Sequence, residues 1–254
     1  MRFHVFESGS KGNCTLITSK GRSIIIDCGI SNRKLKKKLS EVGSSLDEIS
    51  ALLVTHNHSD HISGIESSFD RENIYCSTTT YNVPITNQLI PYQTYTIGGF
   101  EVQCVPTSHD APGSLGFIIK DEEETLVYLT DTGYVYDRVC ELVCDATYYI
   151  FESNHNVRKE LTLPRPRNLI DRIIGDKGHL SNIDAASYLA SFVGPKTKEI
   201  VLAHLSEEAN TEELALEELT KVFFDKHVKL DNILVRCASQ VNTVSGGTLD
   251  YERV

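Results

Sequence analysis

The segment His56-x-His58-x-Asp60-His61 follows directly on the apolar run Ala51-Leu52-Leu53-Val54. Four groups able to bind a metal lie within these six residues, and no regular helix or strand could aim all four at one point. The pattern predicts a tight loop at the end of a buried strand, with the side chains converging. Neutral imidazole and carboxylate are good ligands for Zn²⁺ and related divalent ions. The segment therefore predicts a metal site before anything else about the chain is considered.

Three more polar residues recur in the same setting, at or just beyond the end of a short apolar run. They are His109 in Pro106-Thr107-Ser108-His109-Asp110, Asp131 in Thr130-Asp131-Thr132-Gly133, and His204 in Leu202-Ala203-His204-Leu205-Ser206. Together with His56, His58, Asp60 and His61 they make seven ligands, enough for two metals bridged by a carboxylate, with room for water. That arrangement lowers the pKa of a shared water and clamps the oxygens of an in-line displacement.

The rest of the chain predicts where these residues sit. Phe3 to Phe6, Cys14 to Thr18 and Ser23 to Asp27 read as strands, with Ser8-Gly9-Ser10-Lys11-Gly12-Asn13 as a plain turn between the first two. Ser31 to Val42 reads as a capped helix whose Arg33, Lys34, Lys36, Lys37 and Lys38 form a solvated face. Strand-rich sequence follows from Ile74 to Lys120, then strands end at Asp131 and Glu152. A helix from Ile183 to Phe192, a strand delivering His204 and a helix from Thr211 to Asp225 complete the pattern. Two runs of β structure, each followed by helix, predict an α/β fold of αββα sandwich type, with residues 1–254 as a single domain.

Composition narrows the function. A formal net charge of −10 argues against general gripping of long nucleic acids, which relies on a basic face. No run approaches the about 20 apolar residues of a membrane span. The N-terminus has no signal-peptide core, and the seven cysteines are odd in number without framework spacing. The expected setting is a reducing cytoplasm, away from membranes.

The ligand pattern as a whole resembles the metallo-β-lactamase superfamily, over nearly the entire chain. The resemblance implies that His56, His58 and His109 hold one metal and Asp60, His61 and His204 the other, with Asp131 bridging. Glu152 in Phe151-Glu152-Ser153-Asn154-His155 and His179 in Gly178-His179-Leu180-Ser181-Asn182 are similar to the acid–base pair of the RNase Z branch. Within that branch the chain resembles YycJ (WalJ) type proteins and, further, phage anti-Pycsar enzymes that degrade cyclic nucleotides. The resemblance implies a phosphodiesterase in which Asp60 orients the attacking water and His179, paired with Glu152, protonates the departing sugar oxygen. It also implies a homodimer. Zn²⁺ suits the His-rich set and Mn²⁺ is compatible with its carboxylates.

The substrate stays open at this level. Arg172, on an apparent helix leading to His179, is a candidate phosphate clamp, and His155 a candidate substrate contact. Tyr81, Tyr92 and Tyr95 are candidates for a dimer face or a base-stacking surface. A small cyclic nucleotide is the expectation favoured by the acidic charge. A nuclease acting on DNA ends is the alternative, and a metal-stabilised binding protein without turnover a more distant one.

Overall fold

The computed structural model describes residues 1–77 and 87–248. Tyr81 lies outside these residues. Two seven-stranded sheets form the centre. In the first the spatial order is Val244–Gly247, Arg2–Glu7, Cys14–Ser19, Arg22–Ile26, Ala51–Leu53, Ile74–Ser77 and Asn87–Leu89. In the second it is Leu234–Cys237, Glu199–Ala203, Tyr148–Glu152, Thr125–Leu129, Leu115–Lys120, Phe100–Pro106 and Thr94–Ile97. Each sheet joins an antiparallel half to a parallel half.

Strict alternation along the strands explains the layering, because successive side chains leave opposite faces of a strand. Ile24 and Ile26 face the space between the sheets, whereas Ile25 faces the helix Asn32–Glu41 through Leu35 and Leu39. In the other sheet Tyr148 and Ile150 point to the middle, while Tyr149 and Phe151 pack under the helices Asn182–Phe192 and Glu212–Asp225. Three apolar layers result, helix on sheet on sheet on helix, as the strand and helix pattern predicts. Helix starts follow the capping expectation too: Ser31, Ser181 and Thr211 each accept a backbone N–H of the first turn.

The parallel halves set the position of the site. Strands Thr125–Leu129, Tyr148–Glu152 and Glu199–Ala203 run abreast, with Leu129 opposite Phe151 and Phe151 opposite Leu202. Their C-terminal ends therefore reach one rim together, where open α/β sheets place their ligands. Asp131, Glu152 and His204 are delivered there. Across the sandwich, Leu53 pairs with Ile26, and the backbone N–H of Leu115 donates to the carbonyl of Thr55, bringing the histidine loop to the same rim. Among the described residues no helix is long and apolar enough to cross a membrane.

The layering makes a stability prediction. Ile25→Ala, at a fully buried position, should cost about 2–5 kcal/mol through lost contacts and a residual cavity. Lys36→Ala, on the exposed side of the helix that covers it, should stay within about 0.5 kcal/mol of the parent. Urea unfolding of both variants tests the assignment of faces.

Candidate metal centre

Three strand ends are bent in the same way. Asp27, Asp131 and His204 have φ of 56°, 57° and 56°, the left-handed region that side chains other than glycine enter at a cost of about 1 kcal/mol or more. Each follows a strand whose last four residues are buried, so the sandwich holds the bend. The turn aims the side chain across the rim rather than along the strand.

The seven residues singled out by the sequence converge. Donor atoms of His56, His58 and His109 lie within 4.8 Å of one another, and so do those of Asp60, His61 and His204. These are the two expected triads. Asp131 joins them: its carboxylate lies 3.4 Å from His61 Nε2, 3.5 Å from His204 Nε2 and 3.7 Å from His109 Nε2.

Each buried imidazole is tied through its other nitrogen. His56 Nδ1 meets Thr55 Oγ1 at 3.0 Å, His61 Nδ1 meets Asp27 Oδ2 at 2.7 Å, and His109 Nδ1 meets the Gly178 carbonyl at 3.2 Å. His204 Nδ1 lies 3.2 Å from Asn154 Nδ2 and 3.3 Å from Glu152 Oε1. Such ties fix ring orientation and turn Nε2 toward the centre, although Asn13 Nδ2 also reaches His61 Nε2 at 2.9 Å. His56 Nε2, His204 Nε2 and Asp131 Oδ2 are buried and have no hydrogen-bond partner among the described residues. Orphaned buried polar atoms are expensive, and these three, one in each triad with Asp131 beside both, fit divalent cations.

The charges agree. Burial opposes protonation of His61, but Asp27 and Asp131 outweigh it and lift its pKa to about 9. Burial likewise opposes charge on His204, and Asp131 with Glu152 lifts it to about 9. Burial alone would raise Asp131, yet His204 and His61 hold it well below the usual carboxylate range. Without metal, the two imidazolium ions are balanced by the carboxylates of Asp27, Asp131 and Glu152 around them.

Beside the triads, His179 and Glu152, the residues expected to act as acid and base, are in contact. His179 Nδ1 contacts Glu152 Oε1 at 2.7 Å, and the backbone N–H groups of Thr132 and Leu180 donate to Glu152 Oε2. The His179 ring stacks on His204 at 5.2 Å between centroids. Its side chain is 20% exposed while that of Glu152 is fully enclosed, so the free edge faces solvent. A cleft of about 490 Å³ opens there, lined among others by Ser10, Arg165, Leu169, Ile173, His179 and His204.

Other expectations come out differently. His155 lines a separate cleft of about 440 Å³ with Asn182, Ile183, Leu214 and Lys221. The cause is parity: continuing the strand alternation, Glu152 and Asn154 turn to the rim while Ser153 and His155 turn to the helix layer, where Ser153 bonds Asn182. Arg172 does reach the rim, but its guanidinium is bonded to Asp110, whose other oxygen lies 3.4 Å from His58 Nε2. The lysine helix is not wholly solvated, because Lys34 pairs with buried Glu7 and Lys38 donates to the Val241 carbonyl. Tyr92 packs under Arg138, and the Tyr95 hydroxyl accepts from the Ile90 N–H. The turn at Ser8 to Asn13 is more than a connection: Ser8 Oγ accepts from the His204 N–H, and Asn13 Nδ2 contacts Asp60 Oδ2 and His61 Nε2.

The comparisons decide the family. The family model described as "Beta-lactamase superfamily domain" matches residues 22–205, which include every residue of both triads. The chain belongs to the metallo-β-lactamase superfamily. The superfamily fold recurs in the YhfI protein of Bacillus subtilis, with a TM-score of 0.69 at 20% identity over 96% of this chain and 99% of that one. A Bacillus anthracis relative, "Exodeoxyribonuclease YycJ", is 32% identical over 89% of this chain and 90% of its own. The "Anti-Pycsar protein Apyc1" of Saccharibacillus brassicae is 43% identical over only 54 residues, 21% of each chain. Membership of the metallo-β-lactamase superfamily makes this chain a metallo-hydrolase, and the clustered His and Asp residues are suited to divalent ions.

The raised histidine pKa values give a signed prediction. A pKa lifted from 6.5 to about 9 stabilises the metal-free fold fully below pH 6.5 and ceases to do so as pH rises through 9. Chelator-treated protein should therefore lose melting temperature between these limits. Divalent metal added at pH 7 should release about two protons per chain as His61 and His204 give theirs up. Calorimetry in buffers of differing ionisation enthalpy measures that release.

Proposed function

We propose that this chain is a metal-dependent phosphodiesterase that cleaves nucleic-acid phosphodiester bonds, with DNA ends as its substrate. The observation that carries the reaction type is the Glu152–His179 pair, hydrogen-bonded at 2.7 Å, with His179 opening on the cleft that His204 also lines. His56, His58 and His109 hold one divalent ion in this reading, Asp60, His61 and His204 a second, and Asp131 lies between them. Zn²⁺ suits the set best and Mn²⁺ is compatible.

When bound, the ions supply a water of lowered pKa and neutralise charge gathering on the phosphate. The remaining work belongs to side chains. Asp60, half-buried and steadied by Asn13 at 3.2 Å, accepts a hydrogen bond from the attacking water and turns its lone pair to phosphorus. Glu152 accepts the Nδ1–H of His179, leaving Nε2 at the cleft to hold the proton that the departing sugar oxygen takes. Because Glu152 also touches His204, loss of its carboxylate would disturb proton donor and metal ligand together.

The choice of DNA over a small cyclic nucleotide rests on the extent of similarity. The exodeoxyribonuclease relative matches across nearly the whole chain, the anti-Pycsar relative across about a fifth. A cyclic mononucleotide is the second reading, favoured by the net charge of −10 and by the small size of the cleft.

Metal-loaded protein should degrade single- or double-stranded DNA from its ends and leave 3′,5′-cyclic mononucleotides intact. His179→Ala should lower kcat by about 10²–10⁴-fold with metal content unchanged, whereas His58→Ala should lose both activity and metal. Rapid opening of cyclic nucleotides beside inert DNA would overturn the substrate assignment.

A further inference from the structure

Arg165 forms part of the cleft that holds His179 and His204, and its two hydrogen-bonding edges are treated differently. Nη1 donates to both carboxylate oxygens of Glu160, at 3.1 and 3.2 Å. Glu160 is fully buried, so this contact anchors the guanidinium, because an enclosed carboxylate without its partner is strongly unfavourable. The opposite edge, Nε and Nη2, rests on Glu208. Glu208 is 64% exposed, and a solvent-facing pair of this kind is weak and screened by salt.

That outer edge is the fork with which arginine takes phosphate in two parallel bonds. It is held at a fixed place in the cleft, and the carboxylate covering it is easily displaced. Leu169, Ile173 and Leu205 line the same cleft and offer an apolar seat for a base or sugar between Arg165 and the histidines.

We infer that the outer edge of Arg165 is a subsite for a second substrate phosphate, adjacent to the one being cleaved, and that Glu208 is a latch this phosphate displaces. The inference rests on the phosphodiesterase reading and deepens it, since it makes the substrate a chain with at least two phosphates. A cyclic mononucleotide carries one phosphate, which the metal centre claims, and leaves the latch closed. Arg165 is thereby a specificity residue, and Glu208 sets how much a neighbouring phosphate must gain to bind.

Binding of small probes tests this without turnover. The protein is metal-loaded and carries His179→Ala, and the probes are a thymidine dinucleotide with no terminal phosphate, with a 5′-phosphate and with a 3′-phosphate. One phosphorylated form should bind about tenfold tighter than the plain dinucleotide. Glu208→Gln should tighten that form by about threefold more and leave the plain dinucleotide unchanged. Glu160→Gln combined with Arg165→Gln, which removes the buried pair as a unit, should abolish the preference at an unchanged unfolding midpoint. Should the double variant fail to fold, Glu208→Gln alone decides, since it leaves the buried pair intact. Equal binding of all three probes, or a Glu208→Gln gain shared by the plain dinucleotide, would overturn the subsite. Failure to cleave DNA would instead count against the proposed function and leave the binding difference to stand or fall by itself.

Discussion

A carboxylate removed from water is tolerated only where positive charge or hydrogen bonds surround it. Asp131 is 3% exposed, its Oδ2 has no hydrogen-bond partner among the described residues, and three imidazoles stand within 3.7 Å of it. The rim of the sandwich is organised around that demand. Two strand ends bend into the left-handed region to place Asp131 and His204, a third bends to place Asp27 behind His61, and the loop from His56 to His61 folds over them. In the metal-free chain the balancing charge comes from protons on His61 and His204. Divalent ions would take over the same role with greater charge and fixed geometry.

The surrounding residues act through orientation. Thr55, Asp27, the Gly178 carbonyl and the pair Asn154–Glu152 each occupy the outer nitrogen of one histidine. The result is that Nε2 of His61, His109 and His204 stands within 3.7 Å of the Asp131 carboxylate. Glu152 links this frame to His179, the proposed proton donor, since one oxygen reaches His179 and His204 while the other is held by two backbone N–H groups. His179 and His204 are thereby tied to one carboxylate.

The sequence made the ligands legible because their signal is local: a polar residue just past a short apolar run, on a strand that must end at a rim. The same signal is present at Asp27, after Ile24-Ile25-Ile26, but one aspartate beyond a strand has no spacing to mark it. Asn13 and Asp110 were unreadable for a different reason. Their roles come from contacts across the fold, with Asn13 reaching residues 60 and 61 from the turn between the first two strands, and no periodicity predicts such meetings. His155, a candidate substrate contact, lines a different cleft from His179 because strand alternation divides the motif around Glu152 between two faces. The sandwich itself followed from element order, since alternating apolar strands and capped helices leave few other ways to bury both sheet faces.

The account stands or falls on two ions sharing Asp131. The direct measurement is metal content per chain together with anomalous X-ray scattering at the zinc and manganese edges, on protein purified without added chelator. The account predicts two peaks: one among His56, His58 and His109, the other among Asp60, His61 and His204, with the Asp131 carboxylate touching both. A single peak, or metal bound away from these histidines, would contradict it.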